Sequence, residues 1–155
     1  MTEIHFHFNV PDRLLYACRL LRKAVRSGSG VAVTAPAPTL SRLDRALWTF
    51  EPQEFLPHLL LRPGDAPPQR LRATPIWLVE QADQAAHQPV LVHLGEEPAE
   101  GFESFKRLVE IVSTDAGERD SARRRWKHYA GRGYAIVKFD QAGTSNLLAS
   151  TSEAP

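Results

Sequence analysis

Two hydrophobic periods alternate along the first fifty residues, and this order constrains the fold more than any other feature. Residues 3–10, EIHFHFNV, alternate apolar and polar side chains, which is typical of a strand with one apolar face. Residues 11–28 carry apolar side chains at helical spacing, with a proline at the start and a glycine past the end. A continuous apolar run at 30–35 and a second helical pattern at 39–50 follow. The order strand, helix, strand, helix predicts a three-layer α/β domain with a mostly parallel central sheet and helices on both faces.

The rest of the chain continues the same architecture. Residues 115–131 predict the last helix, in which Asp115 and Glu118 resemble a capping box and Gly131 can end the helix. Residues 101–108 predict a short helix, and the proline-rich segment 51–71 predicts an ordered excursion over the surface. Further strands are predicted at 75–80, 88–95, 109–113 and 134–139. We therefore expect one domain over 1–140 and a disordered tail over 141–155.

The composition limits the type of domain, the kind of partner and the compartment that are expected for this chain. The chain has 155 residues, 43% of them apolar and 24% charged, which is the mixture of an ordinary globular domain. The formal net charge of +1 implies that any electrostatic partner must be bound by a local patch. One cysteine excludes an internal disulfide bond and fits a reducing compartment. Because the first residues lack the pattern of a signal peptide, we expect a cytoplasmic protein.

Motifs for catalysis are weak. The run SGSG at 27–30 leaves a helix and enters a strand, whereas a phosphate loop leaves a strand and opens a helix, so a simple turn is favoured. His5 and His7 share a strand face and could bind a metal with His93, but polar residues on a half-exposed strand explain them more simply. Cys18 lies on the apolar stripe of the first helix and is interpreted as a core residue. No nucleophile elbow or carboxylate pair stands out.

The last predicted helix is strongly basic. Arg119, Arg123, Trp126 and Lys127 fall on one helical face, and Arg124, Arg125 and His128 are expected to fan out around it. One interpretation is a solvated face, with Trp126 or Tyr129 anchoring the helix to the sheet. The other is a docking face, because fixed cations beside an aromatic ring suit an acidic ligand with a hydrophobic group.

A second cluster is aromatic. Trp48, Phe50, Phe55, Leu56 and Pro57 follow the end of the second helix closely. The domain itself can bury one or two of these side chains. An exposed patch made from the others would mark a protein interface, and the sequence leaves core and interface open.

Two stretches resemble a known family. RLDRALWTFEPQEFLPH at 42–58 and DSARRRWKHYAGRGY at 120–134, with the IHFHF start, resemble the chi subunit (HolC) family of bacterial DNA polymerase III holoenzyme. The likeness covers most of residues 2–139. Its most specific pattern comprises Leu43, Asp44, Leu47, Trp48, Phe55, Pro57 and His58.

The resemblance implies a Rossmann-like fold without nucleotide binding, no catalytic activity, no cofactor and a role in the clamp-loader assembly. In that family, chi links the clamp loader, through the psi subunit, to the acidic C-terminal tail of single-stranded-DNA-binding protein. That tail ends in an aromatic residue with a free carboxylate. By position, the tail would contact Val112, Arg119, Arg123, Trp126 and Lys127. The psi interface would comprise Trp48, Phe55, Pro57 and His58.

One alternative for the basic helix remains open. The positive run is heavier than expected for the family, because Arg124 and Arg125 add to it. The helix could then bind nucleic acid directly through phosphate contacts.

Overall fold

A computed structural model describes residues 1–142. This part of the chain contains three α-helices and seven β-strands. The strands are β1 (Glu3–Val10), β2 (Val31–Thr34), β3 (His58–Leu61), β4 (Ile76–Val79), β5 (Val90–His93), β6 (Arg107–Ser113) and β7 (Ile136–Asp140). The helices are α1 (Arg13–Arg26), α2 (Ala37–Thr49) and α3 (Ala116–Gly131), and short 3-10 helices lie at Gln69–Leu71, Ala82–Ala85 and Phe102–Ser104.

The seven strands form one sheet in the order β3-β4-β2-β5-β6-β1-β7, and every pairing is parallel. Helices α1 and α2 pack on one face of the sheet. Helix α3 and the 3-10 helices at Ala82–Ala85 and Phe102–Ser104 pack on the other. The prediction of a three-layer Rossmann-like α/β fold is therefore confirmed, with a sheet that is wholly rather than mostly parallel.

Local signals set the helix boundaries. The Asp12 side chain caps α1 by accepting a hydrogen bond from the Leu15 amide at 3.1 Å. Asp115 caps α3 by accepting from the Glu118 amide at 3.0 Å. In a complete capping box the Glu118 carboxylate would accept from the amide of Asp115. It accepts instead from the Ser113 amide at the end of β6, at 3.2 Å. The predicted capping box is thus half formed.

Two expectations about strands need correction. The segment interpreted as a surface excursion contains β3, an edge strand that pairs with β4. The polar face of β1 is not half-exposed throughout, because α1 covers it and His7 is buried against the Tyr16 hydroxyl. Covering both faces of β1 is what a position between β6 and β7 in a three-layer fold requires.

Two further features complete the fold. None of the helices within residues 1–142 is long and apolar enough to cross a membrane. The predicted tail at 141–155 lies outside the described residues except for its first two positions.

Candidate functional site

A groove of about 410 Å³ lies between α3 and the sheet. We call it the cationic groove, and its walls come from the end of β6, from β1, from the end of β7 and from one face of α3. It is lined by Phe6, Phe8, Asn9, Val112, Arg119, Ala122, Arg123, Trp126, Lys127 and Asp140. All five residues that the resemblance assigned to tail binding are among them.

The apolar part of the cationic groove is built around Trp126. Its indole is half-buried and packs at 5.0 Å, centroid to centroid, against the ring of Phe6. Buried Val112 and Ala122 lie beside it in the groove. The indole is therefore fixed by the core while one part of it stays open to the groove, as an aromatic ligand pocket requires.

The polar part of the cationic groove has cations on one wall and a carboxylate at the rim. Arg119 and Lys127 are exposed and make no ion pair within residues 1–142, and Arg123 lies 3.1 Å from Asp120 at the surface. The Asp140 carboxylate at the end of β7 accepts a hydrogen bond from the side-chain amide of Asn9 at 2.8 Å. Three cations against Asp140 and the neighbouring Asp120 leave the groove with a net positive charge, which suits an anionic ligand.

Arg125 was expected among the surface cations, and that expectation is wrong. Its side chain is 4% exposed and lies on the sheet side of α3. Its Nε donates to the Glu110 carboxylate at 3.1 Å, and Nη1 donates to the Glu96 carbonyl at 3.1 Å and to the Ser121 hydroxyl at 2.7 Å. Arg124 is exposed but lies outside the groove. The basic helix therefore presents fewer cations than its sequence suggests.

Arg125 belongs to a buried polar network centred on Glu110, a fully buried residue of β6. His93 Nδ1 lies 2.9 and 3.0 Å from the two carboxylate oxygens, and the Tyr129 hydroxyl donates at 2.6 Å. Burial alone raises the pKa of the Glu110 carboxyl, but His93, Arg125 and Tyr129 outweigh it and hold that pKa below the ordinary value. The sequence signal for this network was a lone acid inside the apolar run of β6.

The histidine metal site is excluded by the register of the sheet. Glu110 pairs with His93 on one side and with Phe6 on the other, so these three side chains share a face. His5 and His7 flank Phe6 and point to the opposite face. Among residues 1–142, no three histidine, cysteine or acidic side chains are placed to hold a metal.

A second surface, the aromatic surface, comprises Trp48, Phe55 and Pro57, and the predicted interface residue His58 lies beneath it with a side chain that is only 1% exposed. Trp48 and Phe55 are 59% and 64% exposed, with ring centroids 5.5 Å apart. His58 lies 4.9 Å from Trp48, and its two ring nitrogens contact the Leu56 carbonyl at 2.7 Å and the Asp44 carboxylate at 3.0 Å. Of the aromatic cluster predicted from the sequence, Leu56 is therefore part of the core, whereas Trp48 and Phe55 are exposed.

The geometry of α2 explains why the LD-x-x-LW pattern accompanies this surface. Leu43 and Leu47 are buried on one side of α2. Asp44 and Trp48, each one residue later, point towards His58. Two arginines of α1 bind the loop that follows α2. Arg22 binds Glu51 at 3.1 Å, and Arg26 binds Glu54 through two hydrogen bonds of 3.0 and 2.6 Å.

Comparison with known proteins identifies the family. Residues 1–137 match the model of the family described as DNA polymerase III chi subunit, HolC. The chain belongs to this family. DNA polymerase III subunit chi of Pseudomonas aeruginosa is 31% identical over 142 residues, covering 88% of this chain and 94% of the relative. The Haemophilus influenzae subunit chi is 27% identical over 121 residues, covering 77% and 81%.

A solved structure shares the fold at low identity. The C-terminal domain of Saccharomyces cerevisiae Dbp5 (L327V), bound to Gle1 H337R and IP6, aligns with a TM-score of 0.53 and 10% identity. The alignment covers 92% of this chain and 91% of that domain. At this identity the likeness extends to the α/β architecture alone.

Proposed function

We propose that this chi-family chain is a noncatalytic accessory subunit of the clamp-loader assembly of DNA polymerase III. In this role, the cationic groove binds the acidic C-terminal tail of single-stranded-DNA-binding protein, and the aromatic surface binds the psi subunit. The observation that carries the proposal is the convergence of Val112, Arg119, Arg123, Trp126 and Lys127 on one groove. Family membership supports the assignment to the polymerase.

The groove divides the work of binding between charge and burial. Exposed ion pairs contribute only about 0.2–1 kcal/mol each, so the arginines mainly attract and orient the tail. A micromolar complex needs about −8 kcal/mol, most of which must come from burying the terminal aromatic ring beside Trp126 and from contacts to the terminal carboxylate. Binding should weaken as salt is raised.

The first prediction concerns the groove. Arg123→Ala removes a cation and Trp126→Ala removes the pocket wall, so each should weaken binding of a synthetic tail peptide at least several-fold by isothermal titration calorimetry. Arg124→Ala is the matched control, because Arg124 is exposed on the same helix but outside the groove. Circular dichroism should show that each variant folds. Unchanged affinity in both groove variants would refute the site.

Direct nucleic-acid binding is the alternative function. The burial of Arg125 weakens the case for it, because this cation is not exposed to contact phosphates. Titration with a single-stranded oligonucleotide separates the two. Tight oligonucleotide binding with a steep salt dependence, together with indifference to the peptide, would favour the alternative.

The second prediction concerns the aromatic surface. Large exposed aromatic side chains are common hot spots of protein interfaces, so Trp48→Ala should cost at least 1–2 kcal/mol, roughly tenfold, in binding to psi. Affinity for the tail peptide should stay unchanged. Leu60→Ala is a control, because Leu60 is an exposed apolar residue of neighbouring β3 outside the aromatic surface. If Trp48→Ala abolished binding to both psi and the tail peptide and lowered the melting temperature, Trp48 would be a core residue.

A further inference from the structure

A second concave site lies at the carboxyl ends of β4, β2 and β5 and shares no lining residue with either surface described above. It is a crevice of about 800 Å³. Helix α2 follows β2 on one face of the sheet, whereas the segments after β4 and β5 pack on the other face. Such a switch point is where open α/β sheets usually bind ligands.

The crevice is strongly acidic. Its lining contains no lysine or arginine and five carboxylates: Glu80, Asp83, Glu96, Glu97 and Glu100. None of the five forms an ion pair with a residue in 1–142. Acidic residues elsewhere do form ion pairs: Glu51 binds Arg22, and Glu54 binds Arg26.

A buried histidine supplies an independent indication of a ligand. His93 lines the crevice although its side chain is only 7% exposed. Its Nδ1 is occupied by Glu110, whereas Nε2 makes no hydrogen bond with any residue in 1–142. A Cβ atom on Gly95 would lie 2.8 Å from Nε2, so glycine at this position leaves the nitrogen uncovered.

The crevice is unsuited to phosphate. Nucleotide sites at switch points present free amides of a helix N-terminus to the phosphates. Here Pro36 and Pro38 occupy the start of α2, and proline has no amide hydrogen to donate. The surrounding carboxylates would also repel a phosphate.

We propose that the crevice binds an organic cation, whose ammonium or guanidinium group donates to Nε2 of His93 and is neutralised by the surrounding carboxylates. Nδ1 is bound to Glu110, so in the neutral form of the imidazole the lone pair of Nε2 is the acceptor that faces the crevice. The cation is either a free polyamine or a lysine or arginine side chain of a partner's peptide. The volume accommodates either ligand.

Calorimetry and amide NMR test this proposal with three probes: spermidine, an acetylated Gly-Lys-Gly-Arg-Gly peptide, and ATP. We expect saturable binding of spermidine or of the peptide, with shifts of the Gly95 and Gly101 amides, and no binding of ATP. Binding of spermidine alone would indicate a free polyamine. Stronger binding of the peptide would indicate a partner's side chain. If neither cation bound, or if ATP shifted the same amides, the proposal would be overturned.

Variants separate a built site from general attraction to an acidic surface. Glu96→Gln with Glu97→Gln should weaken cation binding several-fold. Glu51→Gln with Glu54→Gln makes the same charge change outside the crevice and should have little effect. Gly95→Ala places a methyl group against Nε2 and should weaken binding while the fold, checked by melting temperature and tail-peptide affinity, is kept. Equal weakening by both double variants would refute a specific site.

Discussion

Arg124 and Arg125 are neighbours in sequence, yet their side chains point about 100° apart around α3. Arg124 is exposed, whereas Arg125 is buried beside Glu110 and also binds backbone at Glu96. A buried carboxylate is tolerated only when partners satisfy it, and Glu110 has three. Charge in a helical sequence therefore does not reveal by itself which cations remain available to a ligand.

The third prediction follows from this contrast. Arg125→Ala leaves the Glu110 carboxylate buried with one cation fewer, so it should lower the free energy of unfolding by about 3–5 kcal/mol. Arg124→Ala should change that free energy by no more than about 0.5 kcal/mol. Urea denaturation followed by circular dichroism measures both. Similar values for the two variants would show that Arg125 is not a structural residue.

At the scale of elements, β2 and α2 were predictable because local patterns describe them fully. The run VAVT is buried along its whole length, and α2 has apolar residues at helical spacing. Strand β3 was missed, because its four residues, His58–Leu61, show no hydrophobic period and become a strand only by pairing with β4. Pairing of this kind is non-local and leaves little trace in a short segment.

The candidate site was predictable only in part: the wall formed by α3 could be predicted from the sequence, and the facing wall could not. Helical spacing alone places Arg119, Arg123 and Trp126 on one face of α3. The facing wall, formed by Phe6 and Phe8, depends on β1 lying between β6 and β7. The alternation of β1 indicated that these rings share a face, but only the strand order shows that α3 covers it.

The fourth prediction belongs to β1 and α1. Burial is the main cause that lowers the pKa of His7, from 6.5 to about 3. Between these values the unfolded chain binds a proton that the folded chain does not, so stability should fall as pH drops from 6.5 towards 3. The slope from this group reaches about 1.4 kcal/mol per pH unit.

His7→Gln tests the origin of this slope. Glutamine keeps an acceptor for the Tyr16 hydroxyl but does not titrate. The variant should therefore show a shallower fall in unfolding free energy on acidification, measured by urea denaturation at a series of pH values. Parallel profiles for the variant and the parent chain would contradict a buried neutral His7.

At the scale of the whole molecule, the two proposed binding surfaces belong to different parts of the sheet. The aromatic surface adjoins β3 at one edge, and the cationic groove lies against β1 and β6 near the other. Five strand intervals separate β3 from β1, which corresponds to about 24 Å. The aromatic surface also lies beside α2, whereas the groove lies beside α3 on the opposite face.

The fifth prediction is that the two partners bind independently. A subunit that links two partners must hold both at once. The two surfaces share no residue and lie on opposite faces of the sheet, so we expect no element that both ligands would bias. The affinity for the tail peptide, measured by calorimetry with and without saturating psi, should agree within about twofold, a coupling below about 0.4 kcal/mol. Trp48→Ala should weaken psi binding in this ternary complex without changing the affinity for the peptide, and Arg123→Ala should do the reverse. A large drop in peptide affinity on adding psi would mean that the surfaces overlap or are coupled, and a simple link between two partners could then not be their function.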